Sequence, residues 1–426
     1  MTAGRRSGKP AVVVPATTVP STVATLRSLG RLGIKTVVVS EMDTSQAFAS
    51  KYCDEVVSTA DPHEDLLAYR DDLLDVAARD DVRTIVPVRE VDAYVLSRYR
   101  SSFEPDVSLP VPDMDSLERV HDRLLLAEAA EAAGVPVPET QRPDDVEDWS
   151  RDLLAKSRYN LLTATYDDSL APGECETSDL IEHLEPGSVM APDSLRDRHR
   201  VEPIVQEFVS ADDEFMVAAL YDSGDPLAVF QHRQVRGTRY TGSGGAYRES
   251  VSIPELEAVA TDLLDHLEWH GLACLEYLRD EDTGEFVLAE INPRMWQSLS
   301  STVAMGADFP RYYWQQATDR ADEIDPSYDV GVGCHWLKGE LLHALSLFRF
   351  DSPHVERPGS AETLRDIAVS TYRHPRFDYL SLDDPGPFLQ DCSTLLAELP
   401  AVPDLQVWRN RPPWARAVPR LPFRRR

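Results

Sequence analysis

The chain has 426 residues, 42% of them hydrophobic and 27% charged, which is enough apolar material for a buried core and excludes a disordered protein. Its 20 Gly and 31 Pro follow no fixed period, and no apolar run approaches the roughly 18–20 residues of a membrane span, so we expect neither a collagen-like chain nor a transmembrane segment. The formal net charge of −30 repels phosphate over most of the surface and makes nucleic acid a poor partner.

The first 120 residues predict a parallel α/β domain. Strands are expected over 11–15, 35–40, 54–58 and 83–88, with helices over 21–30, 63–79 and 90–100. Such alternation is typical of a parallel sheet. The loop after the first strand, PATTVPS, contains no glycine, so its backbone cannot approach a pyrophosphate as a nicotinamide-binding turn does, although Glu41 stands where a ribose contact is expected. We therefore expect no NAD site in this domain.

Residues 121–325 predict a second domain of mixed strands and helices. Helices are expected over 121–133 and 254–268, and strands over 152–156, 204–209, 214–221, 227–236, 272–278 and 285–292. The polar stretch 166–202 predicts loops with a short helix, and TGSGGAY (241–247) predicts a flexible glycine-rich loop. Residues 326–408 indicate a C-terminal region of mixed helix and loop.

The most informative segment is a predicted hairpin near residue 283. With a loop over 281–285, Glu276 faces Glu290 on one side of the sheet, and Asn292 lies on that side too. Like charges directly opposite on paired strands are unfavourable, unless a divalent cation lies between them. Carboxylate and carboxamide oxygens suit Mg²⁺, and Arg294 follows to bind an anion. The alternative is an acidic, solvated strand face, but the interleaved pattern LAEINPRMW favours a functional site.

Four segments resemble the ATP-grasp superfamily, and within it the carboxylate–amine ligase-like members. They are HDRLLLAEAAEAAGVPVPET (121–140), DLLAKSR (152–158), IVQEFVSADDE (204–214) and LACLEYLRDEDTGEFVLAEINPRMWQSL (272–299). The resemblance extends over roughly residues 11–320 and implies an α/β domain followed by an ATP-grasp domain that binds ATP with Mg²⁺ or Mn²⁺.

The resemblance implies a role for each matching residue. Arg123, where the family often has Lys, and Lys156 would contact the phosphates. The adenine would lie against Gln206, Glu207, Phe208 and Val209, and Glu214 would bind the ribose. Ser243 and Gly244 would belong to a loop that closes over the triphosphate. The metal ligands would be Glu276, Glu290 and Asn292, and Arg294 would stabilise the transferred phosphoryl group. Arg233 and Arg236 should lie on opposite faces of their strand, and we expect Arg233 to face the site as a second catalytic arginine.

The implied reaction joins a small-molecule carboxylate to an amine through an acyl-phosphate. Phosphoryl transfer depends on positioning and charge neutralisation, which agrees with a sequence that offers Lys, Arg and acidic residues without a GxSxG or HExxH motif. Another carboxylate-activating reaction of the same superfamily, and a nucleotide-binding scaffold without turnover, remain as alternatives. The sequence does not identify the substrates or the oligomeric state.

The last 18 residues form a separate, basic segment. Residues 409–426 contain seven Arg and no acid, interspersed with Trp414, Leu421 and Phe423. Such a tail could contact an anionic membrane surface or a partner, or fold back on the acidic body. The five scattered Cys form no CxxC pair, and Pro15 and Pro20 interrupt the first apolar stretch, so a cytoplasmic protein with free thiols is expected.

The charge composition also predicts dependence on salt. Asp and Glu number 73 against 43 Lys and Arg, and only five of the basic residues are Lys, which we interpret as adaptation to a haloarchaeal cytoplasm. Molar salt screens the self-repulsion of such a surface. Circular dichroism during dialysis from molar KCl into low salt should therefore show unfolding. A secondary-structure signal unchanged by the dialysis would contradict the interpretation.

Overall fold

The N-terminal domain is built on a four-stranded parallel sheet. The computed structural model describes residues 9–177, 180–184, 186–187, 192–199, 201–242, 244–350, 355 and 357–398. The strands are β1 (Ala11–Pro15), β2 (Lys35–Ser40), β3 (Glu55–Ser58) and β4 (Val82–Ile85), and they lie in the order β3-β2-β1-β4. The helices are α1 (Pro20–Arg31), α2 (Leu66–Ala77), α3 (Glu90–Arg98) and α4 (Arg100–Phe103). Both faces of β1 are buried, with Val13 in one core cluster and Val12 in another, which is why the strand is uniformly apolar.

The helix predicted over 121–133 is divided at Asp122. The two pieces are α5 (Met114–His121) and α6 (Arg123–Ala132). The Asp122 side chain accepts a hydrogen bond from the Leu124 N–H and so caps α6. Its carboxylate also accepts hydrogen bonds from Arg158 and Tyr159 of the following lobe. These contacts fix the start of α6, where Arg123 is the first helical residue.

A small lobe follows, formed by short antiparallel strands. Its elements are β5 (Thr140–Gln141), β6 (Leu153–Lys156), β7 (Leu161–Thr163), β8 (Cys175–Thr177), β9 (Ile181–Leu184), α7 (Pro192–Arg196) and β10 (Ile204–Glu207). One sheet has the order β5-β10-β6-β9, and β7 pairs with β8. The sheet has its own core, in which Leu153, Leu195 and Val205 take part. The small lobe therefore packs as a unit attached to the larger sheet.

A six-stranded antiparallel sheet forms the centre of the molecule. Its strands and the helices between them are β11 (Ala211–Asp222), β12 (Asp225–Gly237), β13 (Gly245–Val251), α8 (Pro254–His266), β14 (Gly271–Asp280), β15 (Phe286–Asn292), α9 (Leu299–Ala304), α10 (Phe309–Ala317) and β16 (Gly333–His335). The order is β15-β14-β11-β12-β13-β16. Alternate residues of β11 enter different core clusters, Val217 with α8 and Ala218 with α10. Gly271 has φ 90°, and a Cβ there would lie 2.3 Å from the Pro110 carbonyl oxygen, so this contact with the N-terminal domain requires glycine.

Within the region predicted over 326–408, the described residues contact both the N-terminal domain and the central sheet. Its helices are α11 (Leu337–Arg349), α12 (Ser360–Arg373) and α13 (Gly386–Glu398), and short 3₁₀ turns occur earlier at Gln46–Ala49, Pro143–Asp145 and Ala321–Glu323. Strand β16 completes the central sheet. Two buried ion pairs anchor the segment after α12, Arg248–Asp378 at 3.0 Å and Arg27–Asp384 at 2.9 Å. The basic tail 409–426 lies outside the described residues.

Within the described ranges, no helix has the length and apolarity that crossing a bilayer would require. The strands expected over 11–15 and 35–40 are confirmed at both ends, and most others differ by one to three residues. Strand β13 was not expected at all, because its sequence GAYRESV carries polar residues at the positions that the central sheet buries.

Candidate functional site

The β14–β15 hairpin, Gly271–Asn292, is called the carboxylate hairpin below. Its register confirms that Glu276 pairs with Glu290 and that Asn292 lies on the same face. The closing turn differs from the expectation, because Phe286 pairs with Arg279 and not with Asp280. A bulge at Ala289 shifts β15 by one residue and restores the pairing of the two glutamates.

Glu276 is an acid that lacks a protein partner. In the part of the chain that the structure describes, its carboxylate makes no hydrogen bond or ion pair. The residue is exposed to solvent, although Leu275 and Tyr277 on either side of it are buried. Desolvation by the neighbouring protein, followed by the charges of Glu290 and Glu214, raises the pKa of Glu276 to about 8. The arrangement leaves an uncompensated negative site that a cation would neutralise.

Asn292 and Arg294 continue the site beyond Glu290. The Asn292 Nδ2 donates to Glu290 Oε1 at 2.8 Å, and its Oδ1 accepts from Arg294 Nη2 at 3.1 Å. Arg294 Nε donates to Glu90 Oε1 at 2.6 Å, which connects the hairpin to the first turn of α3. Burial alone would raise the pKa of Glu90, but Arg294 and the nearby His121 hold it below its ordinary value.

Basic side chains of the small lobe and of the start of α6 face the carboxylate hairpin. Lys156 is buried at the end of β6, where its Nζ donates to Gln206. Burial, together with Arg123, lowers the pKa of Lys156 to about 7, although Glu290 opposes this change. Arg123 Nη2 lies 4.0 Å from Glu290 Oε2. An anion bound beside Lys156 would favour its charged form, as expected for a phosphate contact.

The segment predicted to contact adenine, 206–209, leads from the sheet of the small lobe to the central sheet. Glu207 ends β10, Val209 is buried, and β11 begins at Ala211. The Phe208 N–H donates to the Asp152 carbonyl, so this group is already used, while the Glu207 carboxylate pairs with Arg151 at 2.9 Å. The segment has the position of a hinge between the small lobe and the central sheet.

Glu214 lies on the same face as Glu276. It stands two residues before Met216, which pairs with Glu276. Burial raises the pKa of Glu214 to about 7, and a hydrogen bond donated by Gln234 Nε2 partly offsets this. A ribose hydroxyl is a suitable further partner for such a half-buried carboxyl group.

The structure corrects the expectation for Arg233. Arg233 pairs with Phe215, and Phe215 pairs with Tyr277, the neighbour of Glu276 on β14. Paired residues share a face and consecutive residues alternate, so Arg233 lies on the opposite face from the glutamates. Its Nη1 is 3.8 Å from Asp213 Oδ2. The face of Arg233 depends on the register with β11, which the sequence of β12 alone does not specify.

The glycine-rich loop is anchored more firmly than its composition suggested. It forms the turn between β12 and β13, and the Gly244 carbonyl accepts from the Thr238 N–H at 2.9 Å. The Tyr240 N–H donates to Ser346 Oγ of α11 at 3.0 Å. Ser243 lies outside the described residues. Contact with a triphosphate therefore stays a prediction for Gly244 and Ser243 alike.

The donor set fits a hard divalent cation that completes its shell with other ligands. Among the described residues, no cluster of three His, Cys, Asp or Glu side chains is arranged to hold a metal. Two carboxylates and a neighbouring carboxamide match a different kind of site. There Mg²⁺ binds only a few protein oxygens, and phosphates and water complete its coordination shell. The unpartnered Glu276 is the observation that supports this fit.

Glu90 is the contact that the sequence did not reveal. Its bond to Arg294 joins residues 204 positions apart in the chain, so no local sequence pattern predicts it. The signal available was general, since ligands gather at the carboxyl ends of parallel strands.

The repulsion at Glu276 predicts an effect on stability. In EDTA at pH 8, Glu276→Gln should raise the free energy of unfolding by on the order of 1 kcal/mol, after allowance for solvent screening of this accessible carboxylate. A carboxyl group whose pKa is higher in the folded state destabilises the fold increasingly as pH rises from its unfolded value towards about 8. The gain should therefore shrink at pH 5.

Urea unfolding in molar KCl at both pH values measures this difference. Glu285→Gln, in the exposed turn of the same hairpin, is the matched control and should change little. A Glu276→Gln variant that is less stable than the native protein at pH 8 would show that the two glutamates do not repel each other.

No family model and no curated protein matches the sequence. Among solved structures, Rhizobium etli pyruvate carboxylase aligns with 76% of this chain at 17% identity and TM-score 0.54, and the chain spans 30% of that protein's length. The biotin carboxylase domain of Hydrogenobacter thermophilus 2-oxoglutarate carboxylase, solved with MgADP and bicarbonate, has 14% identity, TM-score 0.53, and coverage of 76% of this chain and 72% of that one.

An L-amino acid ligase from Bacillus licheniformis has 15% identity and TM-score 0.51, with coverage of 75% of this chain and 78% of that one. At these identities the likeness concerns the fold. The parallel sheet of the N-terminal domain precedes the antiparallel sheets along the chain, as expected for an α/β domain followed by an ATP-grasp fold. This chain has the fold of the ATP-grasp superfamily, preceded by a parallel α/β domain.

Proposed function

We propose that this protein is an ATP- and Mg²⁺-dependent ligase that joins a carboxylate to an amine. The observation that carries the proposal is the pairing of Glu276 with Glu290 on the face of the central sheet that Lys156 and Arg123 approach. Acids that require a cation and basic groups that require an anion together suit a metal–nucleotide complex. The fold shared with an L-amino acid ligase supports the same class of reaction.

In this proposal, the central sheet and the small lobe bind different parts of the metal–nucleotide complex. Glu276, Glu290 and Asn292 would hold Mg²⁺, which neutralises phosphate charge when bound. Lys156 would bind phosphate oxygens from the small lobe. The hinge at Glu207–Val209 would place the adenine between the lobes, and Glu214 would bind the ribose.

The proposed reaction has two steps. A carboxylate oxygen of the substrate attacks the γ-phosphorus of ATP, the bond to the bridging oxygen breaks, and ADP leaves. The amine nitrogen then attacks the acyl carbon, phosphate leaves, and the nitrogen loses a proton. Arg294, which keeps unused N–H donors, would stabilise the charge on the transferred phosphoryl group in both steps. Arg233 has no role in this scheme, because it lies on the other face.

Two alternatives are retained. Bicarbonate activation is favoured by one observation, the bicarbonate bound in the 2-oxoglutarate carboxylase domain of the same fold. A scaffold that binds nucleotide without turnover would need no intact metal pair, and the retained Glu276, Glu290 and Asn292 argue against it.

Phosphate release tests the proposal. The protein in molar KCl is given MgATP with pools of carboxylates and amines, and release should require one member of each pool. Glu290→Gln should lower kcat by about 100-fold or more, because it removes a charge that holds the metal. The control Glu285→Gln, exposed in the turn of the same hairpin, should retain full activity.

Two results would contradict the ligase, and a third would contradict only the metal role of Glu290. Release with bicarbonate and no amine would favour the carboxylating alternative. Nucleotide binding without release under any substrate pair would favour the scaffold. Full activity of Glu290→Gln would refute the metal role of this residue.

A further inference from the structure

We infer that Glu90 is a positioning residue: it aims the Arg294 guanidinium at the phosphoryl-transfer site, so the N-terminal domain helps to set the geometry of the carboxylate hairpin. This inference rests on the proposed function and extends it to a residue outside the ATP-grasp motifs.

The first support is how completely Arg294 is held. Its Nε donates to Glu90 Oε1 at 2.6 Å, its Nη1 to the Met295 carbonyl at 3.1 Å, and its Nη2 to Asn292 Oδ1 at 3.1 Å. These bonds use three of the five guanidinium donors and fix the plane of the group. One hydrogen on each Nη remains for a ligand.

The second support is that Glu90 is itself fixed. It is the first residue of α3, and the loop before it is tied to the hairpin by the Met295 N–H, which donates to the Pro87 carbonyl at 2.9 Å. The second oxygen of Glu90 lies 3.5 Å from His121 Nε2 at the end of α5. The carboxylate thus presents a rigid acceptor to Arg294.

The third support is the environment of the pair. The side chains of Arg294 and Glu90 are only 23% and 15% exposed, so their attraction is less screened than that of a surface pair. Glu290 also attracts Arg294. Without Glu90, the guanidinium would be drawn towards Glu290 and would compete with the metal that this residue is proposed to hold.

The test compares two nucleotides that differ in the γ-phosphate. Affinities for MgADP and for the magnesium complex of AMP-PNP, a non-hydrolysable ATP analogue, are measured by calorimetry in molar KCl. The variants are Glu90→Ala, Arg294→Ala and the double variant, with Glu90→Gln as the conservative replacement that keeps an acceptor oxygen. Urea unfolding of each variant is recorded in parallel.

We expect each alanine variant to lose about tenfold in affinity for the analogue relative to MgADP, the size of one charged hydrogen bond. The double variant should lose no more of this relative affinity than either single alanine variant, because both changes disable the same guanidinium group. Glu90→Gln should recover part of the loss. Asp384→Asn, which breaks the buried pair with Arg27 in another part of the fold, should lower stability and leave the ratio of affinities unchanged.

A failure of the proposed function and a failure of the Glu90 inference give different results in this experiment. If the native protein binds neither nucleotide, the proposed function fails, and the inference falls with it. If the native protein binds both, and Glu90→Ala leaves the ratio unchanged or adds its loss to that of Arg294→Ala, the inference alone is overturned. An equal weakening of both nucleotides by Glu90→Ala would likewise assign Glu90 a structural role.

Discussion

The pairing of Glu276 with Glu290 across the β14–β15 ladder is the constraint on which the proposed site depends. Backbone pairing in the central sheet holds the two carboxylates opposite each other, and the bulge at Ala289 brings them into register. A sheet gains nothing from such a pair without a counterion. The positive groups closest in space, Arg123, Lys156 and Arg294, each have other partners, and Glu276 has none among the described residues. In the proposed function, a bound cation would neutralise this pair.

Separate segments of the chain place charged side chains around this pair. The small lobe contributes Lys156 on a short buried strand, the break at Asp122 places Arg123 at a helix start, and the N-terminal domain contributes Glu90 behind Arg294. The described residues of the C-terminal segment link the N-terminal domain to the central sheet through two buried ion pairs, Arg27–Asp384 and Arg248–Asp378.

The sequence was most informative where local pattern decides structure. Period-two alternation and a turn signal predicted the pairing of Glu276 with Glu290, and uniformly apolar runs predicted β1 and β2. It failed where a contact depends on register or on distant chain segments. The face of Arg233 follows from its pairing with Phe215, which a single strand does not encode. Asp122 is a good helix cap, so the division of the helix over 121–133 had a signal that was not used. The contact of Glu90 with Arg294 has no local signature at all.

Calorimetric titration of ADP into the protein in molar KCl, with and without Mg²⁺ and with Lys156→Ala as the comparison, tests the central claim most directly. The account predicts binding that requires Mg²⁺ and that weakens in the variant, since the metal and the buried lysine would share the phosphates. Binding of equal strength with and without Mg²⁺, or no binding by a protein shown to be folded, would contradict the assignment of the glutamate pair as a metal–nucleotide site.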